Sequence, residues 1–487
     1  MALSQKHSGA YYTPEDVVQA LVHWAVRKKS DRLLDPSCGD GSFIAAHQNS
    51  VGIERDAAAA ASAIVRAPGA LVHEGEFFEW AARTQERFEC IAGNPPFIRY
   101  QTFKGPVRER AFRFCERLGA RFSGLSSSWA PFLVAAASLL KPEGRMAFVV
   151  PAEIGHAPYA VPLLEYLVAN FGIVQIIAIQ EKVFPNLSED CWLLYVDGFG
   201  RRTGEILFSA VERFRASKAP PRQAVKVPVA EWRDRWNGRL RPYLLSEHVR
   251  SLYVEVANHP ETQRFGDIAA VGIGYVSGAN DFFHLKPSKA SEWQIPSALL
   301  HPTVRNGKAL PDSALTHAVV REWQRNDEPV MLLRLPKTGA LPSTVRRYLE
   351  TEEGRSARRG YKCRNRDPWY SVPDVQIPDF FLSYMSGKTA SLVRNAAGAT
   401  CTNSVHSVRV KGNSAGVRRL VRMWDSEFLK LSREIEGHPL GGGMLKLEPR
   451  EAASIVVPAA RLEMGISAPA LADAVLKMQR WRHYADG

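Results

Sequence analysis

The sequence has little that would build a disulfide scaffold or a zinc module. Its six cysteines, Cys38, Cys90, Cys115, Cys191, Cys363 and Cys401, are scattered through 487 residues. No CxxC pair and no zinc-type histidine spacing accompanies them, so they read as reduced, buried thiols, and no metal site is expected. Long apolar runs are also missing. No window approaches the roughly 18 uninterrupted apolar residues of a membrane span. The opening stretch MALSQKHSGAYYTPEDVV has no apolar core of the signal-peptide kind. A cytoplasmic protein with no membrane partner is expected. Internal repeats and low-complexity segments are absent as well.

What is present is a globular composition, 45% hydrophobic and 23% charged, with a formal charge of +13. The charge is uneven. Residues 1–240 carry 29 Lys/Arg against 25 Asp/Glu, and the remaining 247 residues carry 34 against 25. A basic excess placed mostly in the C-terminal half points to a polyanionic partner, nucleic acid ahead of membrane because no basic amphipathic helix stands out.

The first 200 residues or so alternate strand and helix. EDVVQALVHWAVRK has helical apolar spacing and an acidic first turn. DRLLDPSCGDGSFIAA reads as strand, glycine turn and helix start. SVGIERD, ALVHEGEFF and FECIAGNPPF supply further strands. SSWAPFLVAAASLLKPEG reads as a buried helix closed by Pro142 and Gly144, and RMAFVVP, IVQIIAIQ and CWLLYVDG complete the set. Such alternation predicts an α/β fold, a doubly wound, mainly parallel sheet covered on both faces. The pattern breaks after about residue 200. Three regions are expected: a catalytic domain over 1–215, a linker over 216–240 around Pro220-Pro221, and a mixed α+β domain over 241–487.

In a doubly wound sheet, ligands bind at the carboxyl ends of the strands, and candidate residues fall there. Asp35 ends the first strand and is followed by Gly39 and Gly41, a turn in which backbone N–H groups can approach a ligand closely. No Lys-Ser/Thr pair follows, so this is not a P-loop and a triphosphate is disfavoured. Glu54 ends the second strand, placed to accept from ribose hydroxyls; its plain alternative is a solvated acid at a helix start. Glu76 and Phe77 end the third, an acid for an adenine amino group beside a ring. A glycine turn, a ribose acid and a base-contacting acid on consecutive strands describe an adenosine pocket without phosphate recognition. S-adenosylmethionine fits that description.

The fourth strand ends in Asn94-Pro95-Pro96-Phe97. Two prolines fix two φ angles and remove two backbone donors, so a rigid turn holds an amide, a carbonyl and a ring together. The order Tyr12-Thr13-Pro14, Asp35-Pro36-Ser37-Cys38-Gly39-Asp40-Gly41, Asn94-Pro95-Pro96-Phe97, then a large basic C-terminal region, resembles the γ class of DNA adenine-N6 methyltransferases of the Taq and Eco57I-like kind. The resemblance implies a Rossmann-like S-adenosylmethionine-dependent domain followed by a target recognition domain. It implies that the Asn94 side-chain oxygen and the Pro95 carbonyl accept the two N6 hydrogens of an adenine flipped out of duplex DNA. Phe97 would stack on that base, with Tyr11 on its other face and Phe184 at its edge; an ordinary core role is the alternative for Phe184. Thr13 would contact the methionine end of the cofactor, a helix N-cap being a compatible role, and Asp35 would face its amino group. Pro36, Cys38, Gly39, Gly41, Glu54, Glu76, Phe77 and Asn94 complete the cofactor set, Glu76 departing from the Asp common in the family.

In the C-terminal half, RNGKAL (305–310), RRGYKCRNRDPWY (358–370) and TNSVHSVRV (402–410) are similar to segments of the family's recognition domains. Arg305, Lys362, Arg364, Arg366, Trp369 and Tyr370 are the expected DNA contacts. The expected partners are duplex DNA, bound by a monomer, and a separately encoded cognate restriction endonuclease. Two other readings compete: a methyltransferase acting on RNA or on protein glutamine, and a DNA-binding specificity subunit with an inactive methylase fold.

Overall fold

The computed structural model describes residues 13–184, 189–412, 414–440, 442–459, 462 and 467–484. The chain divides into two units, Met1–Glu247 and His248–Gly487. Among the described residues no helix is long and apolar enough to cross a membrane.

In the first unit, helix α1 (Glu15–Ala25) precedes strand β1 (Leu33–Asp35), α2 (Ser42–Ala45), β2 (Ser50–Glu54), α3 (Ala57–Arg66), β3 (Leu71–Glu74), α4 (Phe77–Arg83) and β4 (Phe88–Gly93). Then come α5 (Gly105–Arg117), α6 (Trp129–Ala137), β5 (Leu140–Pro151), α7 (Val161–Asn170), β6 (Phe171–Ile179), β7 (Cys191–Phe199), β8 (Glu205–Val211), β9 (Val225–Pro228) and α8 (Val229–Asp234). The strands form one nine-stranded sheet in the order β3-β2-β1-β4-β5-β7-β6-β8-β9. Strands β3 to β5 run parallel, while β7 lies antiparallel to both β5 and β6. The chain order reverses between β1 and β4, which puts the switch point of the sheet beside the carboxyl ends of those two strands. That is where an open α/β sheet leaves its ligand crevice.

The local reasons are legible. Strands β1 and β4 are apolar and buried almost throughout, as strands covered on both faces must be. Helix α6 is apolar all round and every residue in it is buried, the pattern of a helix sunk in a core. It ends at Ala137, and β5 has already begun at Leu140. Pro142 and Gly144 therefore lie within β5, where the pairing with β4 is irregular between Phe88 and Cys90, and do not close the helix as expected. Part of the segment expected as a linker is ordered into the first unit: Val225–Pro228 pairs antiparallel with β8.

The second unit is mixed α+β. Its main sheet has five strands, in the spatial order Ala269–Ile273, Val405–Val410, Phe380–Ser383, Leu392–Asn395 and Ala314–Leu315. A four-stranded sheet is built on Leu300–Val304 and Met331–Leu333. Its core gathers Tyr275, Phe282, Phe283, Tyr348 and Cys363. All six cysteines are free and buried.

Candidate functional site

Asp35 closes β1 and is 1% exposed. Its Oδ1 accepts the Ser37 backbone N–H at 3.0 Å, while Oδ2 meets no hydrogen-bond partner among the described residues. Burial pushes its carboxyl up to about 8, partly opposed by the Ser37 N–H and reinforced by the charges of Glu54 and Asp40. A buried carboxyl with one oxygen unanswered suits a cationic ligand group, which would restore the charged form. Directly beyond it, Gly39 and Gly41 turn with φ of +54° and +91°. A Cβ on Gly41 would lie 2.9 Å from the Ala63 Cα, so the second glycine is required both by conformation and by the packing of α3. Cys38 is buried against Gly52, and its N–H donates to the Ile53 carbonyl at 2.9 Å. Pro36 is buried beside it.

Glu54 ends β2 and orders this turn. Its Oε2 accepts the Gly39 N–H at 3.0 Å and its Oε1 the Asp56 N–H at 2.8 Å. A carboxylate has about four acceptor positions, so capacity for ribose hydroxyls remains. Glu76 is more fully engaged. It is the N-cap of α4, accepting from Phe78 N and Glu79 N at 3.0 Å each, and Arg110 Nη1 approaches its Oε2 at 3.3 Å. Phe77 is buried, its ring centroid 4.5 Å from that of Phe132. The sequence did not announce the Arg110 pairing.

The Asn94–Phe97 turn leaves β4 next to Asp35: a Cβ on Gly93 would lie 2.7 Å from Asp35 Oδ1. The Asn94 amide Nδ2 donates to Thr13 Oγ1 at 3.2 Å, and the Asn94 carbonyl accepts from Ser37 Oγ at 3.1 Å. Thr13, Ser37 and Asn94 thus meet although they come from three separate motifs. Thr13 is not the cap of α1. Pro14 holds that position, its carbonyl accepting from Val17 and Val18, and this leaves the Thr13 hydroxyl to the amide.

The far side of the turn is held by a residue the sequence reading passed over. Ser128 Oγ donates to the Pro96 carbonyl and accepts from Ile98 N at 3.0 Å, while Ser128 N donates to the Ile98 carbonyl at 2.9 Å. A Ser immediately before a helix is an N-cap signal, and Ser128 does occupy the N-cap of α6. Its side chain makes no cap hydrogen bond; the hydroxyl serves the turn instead. Phe97 and Phe184 pack on one hydrophobic cluster with Val17, Leu21 and Ala92, Phe184 within it and Phe97 half-buried at its margin. Arg99 forms an ion pair with Glu189, tying the segment after Phe97 to the one after Phe184. Tyr11 lies outside the described residues.

In the second unit two of the three recognition-like segments meet one loop, Gly274–Ser277, and the third joins them through Thr402. Tyr275 bridges Thr402, its N–H donates to the Cys401 carbonyl at 3.0 Å, and its hydroxyl lies 2.6 Å from Thr303 Oγ1. Thr402 Oγ1 donates to the Arg305 carbonyl at 2.7 Å. The Arg366 guanidinium donates to the carbonyls of Val276 and Ser277, each at 2.6 Å. Gly274 admits this approach, since a Cβ there would sit 2.2 Å from the Thr402 carbonyl oxygen. Arg366 is thus engaged within the unit. Trp369 and Tyr370 are half-buried against its core, Trp369 packing on Phe282 and Phe283. Arg305 pairs with Asp281 at 3.5 Å. Lys362 and Arg364 are exposed, Arg364 lying over the exposed Tyr361 ring at 5.4 Å. The organising stretch, GIGYVSGAN (272–280), escaped the sequence reading; its clustered glycines were the available signal.

Residues 48–184 match the family model of the Eco57I restriction-modification methylase, and residues 2–64 that of the N-6 DNA methylases. The Type II methyltransferase M.AccI of Acinetobacter calcoaceticus is 20% identical, the alignment covering 99% of this chain and 90% of that protein. M.TthHB8I of Thermus thermophilus is 30% identical over 31% of this chain and 36% of its own length. The solved structure of the Type IIL restriction-modification enzyme MmeI in complex with DNA shares the fold, with a TM-score of 0.54 at 11% identity, over 96% of this chain and 71% of that one. Residues 237–486, slightly more than half of the sequence, match the model of the Type II methyltransferase M.Eco57I C-terminal domain. The chain belongs to that family, the Type II restriction-modification DNA methyltransferases of the N6 class.

Proposed function

We propose that this enzyme methylates N6 of an adenine flipped out of duplex DNA at a specific site, as the modification part of a restriction-modification system, with S-adenosylmethionine as donor. When bound, that cofactor supplies an electrophilic methyl group. Asp35 would hold its ammonium, Gly39 and Gly41 its approach to the backbone, and Glu54 its ribose. The unanswered Asp35 Oδ2 in a buried position supports this fit.

The observation that carries the reading is the Asn94 amide set against Thr13 at the end of β4, beside Asp35. With its nitrogen committed to Thr13, the amide turns its oxygen the other way, as an acceptor for one N6 hydrogen. The Pro95 carbonyl takes the second. Two acceptors withdraw the N6 lone pair from the ring and favour an attacking geometry, and they help most where charge develops in the transition state. Flipping exposes a base that a duplex hides, and Phe97 offers it a stacking surface. In the second unit Lys362 and Arg364 are free to meet phosphates, with Arg305 beside them in function.

Expression in a methylation-free host, followed by single-molecule mapping of modified bases, tests the reading. One adenine-containing motif modified throughout the genome, and none with Asn94→Ala, is the expected result. An unmodified genome, or modification surviving Asn94→Ala, overturns it.

A further inference from the structure

The turn Asn94-Pro95-Pro96 presents three successive carbonyls. The first accepts from Ser37 Oγ and the third from Ser128 Oγ. The middle one, on Pro95, receives no hydrogen bond from any described residue. The two prolines contribute no N–H of their own, so nothing within the turn competes for it. The same Ser128 hydroxyl also accepts from Ile98 N. One side chain therefore holds both peptide groups that flank Phe97, and a second, Ser37, holds the peptide group before Pro95.

We propose that Ser37 and Ser128 are positioning residues that select the Pro95 carbonyl as the acceptor for substrate and fix the orientation of Phe97. This rests on the adenine-N6 reading above and deepens it. A carbonyl already bound to a hydroxyl is a weaker acceptor for an incoming N–H, and a turn free to rock would let the wrong carbonyl face the base. Satisfying the outer two leaves one answer. Neither serine touches substrate in this account; each acts through the turn. Ser128 gives up its ordinary duty to do so, because it stands at the N-cap of α6 without capping it.

The run Ser126-Ser127-Ser128 supplies its own control. Ser126 is fully buried like Ser128, yet its hydroxyl has no hydrogen-bond partner among the described residues. If Ser128 matters only as a small packed side chain, Ser126→Ala and Ser128→Ala should behave alike.

The test has two readouts on the full-length enzyme. Amide hydrogen exchange, read with no DNA present, should show faster exchange at Ile98 in Ser128→Ala and no change in Ser126→Ala. Methyl transfer on a duplex carrying the mapped site should then show kcat lowered at least tenfold in Ser128→Ala, with KM for DNA within about twofold. Ser37→Ala should also lower kcat, without touching exchange at Ile98, and Ser126→Ala should match the parent enzyme. Thermal melting of each variant separates loss of fold from loss of positioning. Parental kcat in Ser128→Ala, equal losses in Ser126→Ala and Ser128→Ala, or unchanged exchange at Ile98 would each overturn the proposal. A parent enzyme that binds DNA and transfers no methyl to adenine overturns the underlying reading instead, while the exchange measurement still reports on the clamp.

Discussion

Thr13 and Asn94 meet across 81 residues of chain, the Asn94 amide nitrogen donating to the Thr13 hydroxyl at 3.2 Å. The contact links the segment before α1 to the turn after β4, and in the proposed reaction it would set which end of the amide faces the base. Thr13→Val keeps the side-chain shape and removes the acceptor. Losing a hydrogen-bonding group that acts directly in a transition state costs on the order of 10²–10³ in rate, and an orienting group acts at one remove. Thr13→Val should lower the single-turnover rate by roughly tenfold or more at saturating DNA and cofactor. A rate equal to that of the parent would mean the amide is oriented by other means.

Asp35 gives the site a pH dependence. Burial holds its carboxyl at about 8 in place of 3.8, so near neutrality the folded protein keeps a proton there that the unfolded chain has lost. Between those two values the folded state binds more protons, and stability falls as pH rises. A cationic ligand reverses the preference and expels the proton. Cofactor binding should therefore tighten as pH rises from 6 towards about 8. Titration calorimetry in buffers of different ionisation enthalpy should find close to one proton released at pH 7. Asp35→Asn should bind weakly, release none, and melt at a temperature less sensitive to pH over that range.

Phe97 stands half-buried at the margin of the cluster that contains Phe184, so part of the ring remains available to a base. Base–aromatic stacking is worth about 1–3 kcal/mol, and an exposed flipped base without it returns to the duplex. Phe97→Ala should reduce transfer to a paired target by roughly five- to 150-fold, the same free energy expressed as a ratio. A mismatch opposite the target adenine lowers the cost of flipping and should restore part of the loss. Equal losses on paired and mismatched duplexes would assign Phe97 to packing alone.

Much of the first unit could be read from residues because each motif obeys a local rule. Buried strands read as apolar runs, and a glycine turn at a strand end reads as a ligand crevice. Asp35, Gly41 and Asn94 were singled out in that way. Ser128 was not, because its partners are Pro96 and Ile98 and no local pattern encodes a hydroxyl reaching across 32 residues. Glu76 shows the same limit from the other side. An acid after a strand reads equally as a base contact or as a helix cap, and here it caps α4 while meeting Arg110. In the second unit, basic residues interleaved with aromatics read as a nucleic-acid surface. That pattern cannot distinguish a side chain turned outward from one folded back on its own backbone, which is where Arg364 and Arg366 part.

Those two arginines, two positions apart, should fail in different ways. Arg366 spans the carbonyls of Val276 and Ser277 and so holds the Gly274–Ser277 loop, which also bridges to Thr402. Hydrogen bonds from a charged group contribute about 1.5–3 kcal/mol each. Arg366→Ala should lower the unfolding midpoint by an amount equivalent to a few kcal/mol. Its effect on DNA binding would then follow from the damaged loop and leave the salt dependence of the remaining affinity unchanged. Arg364 is exposed over Tyr361, and its removal should alter stability by no more than about 0.5 kcal/mol. A lost phosphate contact weakens binding across all sequences and reduces the slope of log affinity against log salt by about 1. Denaturant unfolding and DNA titrations at several salt concentrations separate the two variants. A flattened salt slope with Arg366→Ala and intact stability would put that guanidinium on the DNA after all, and an unchanged affinity with Arg364→Ala would remove Arg364 from the interface.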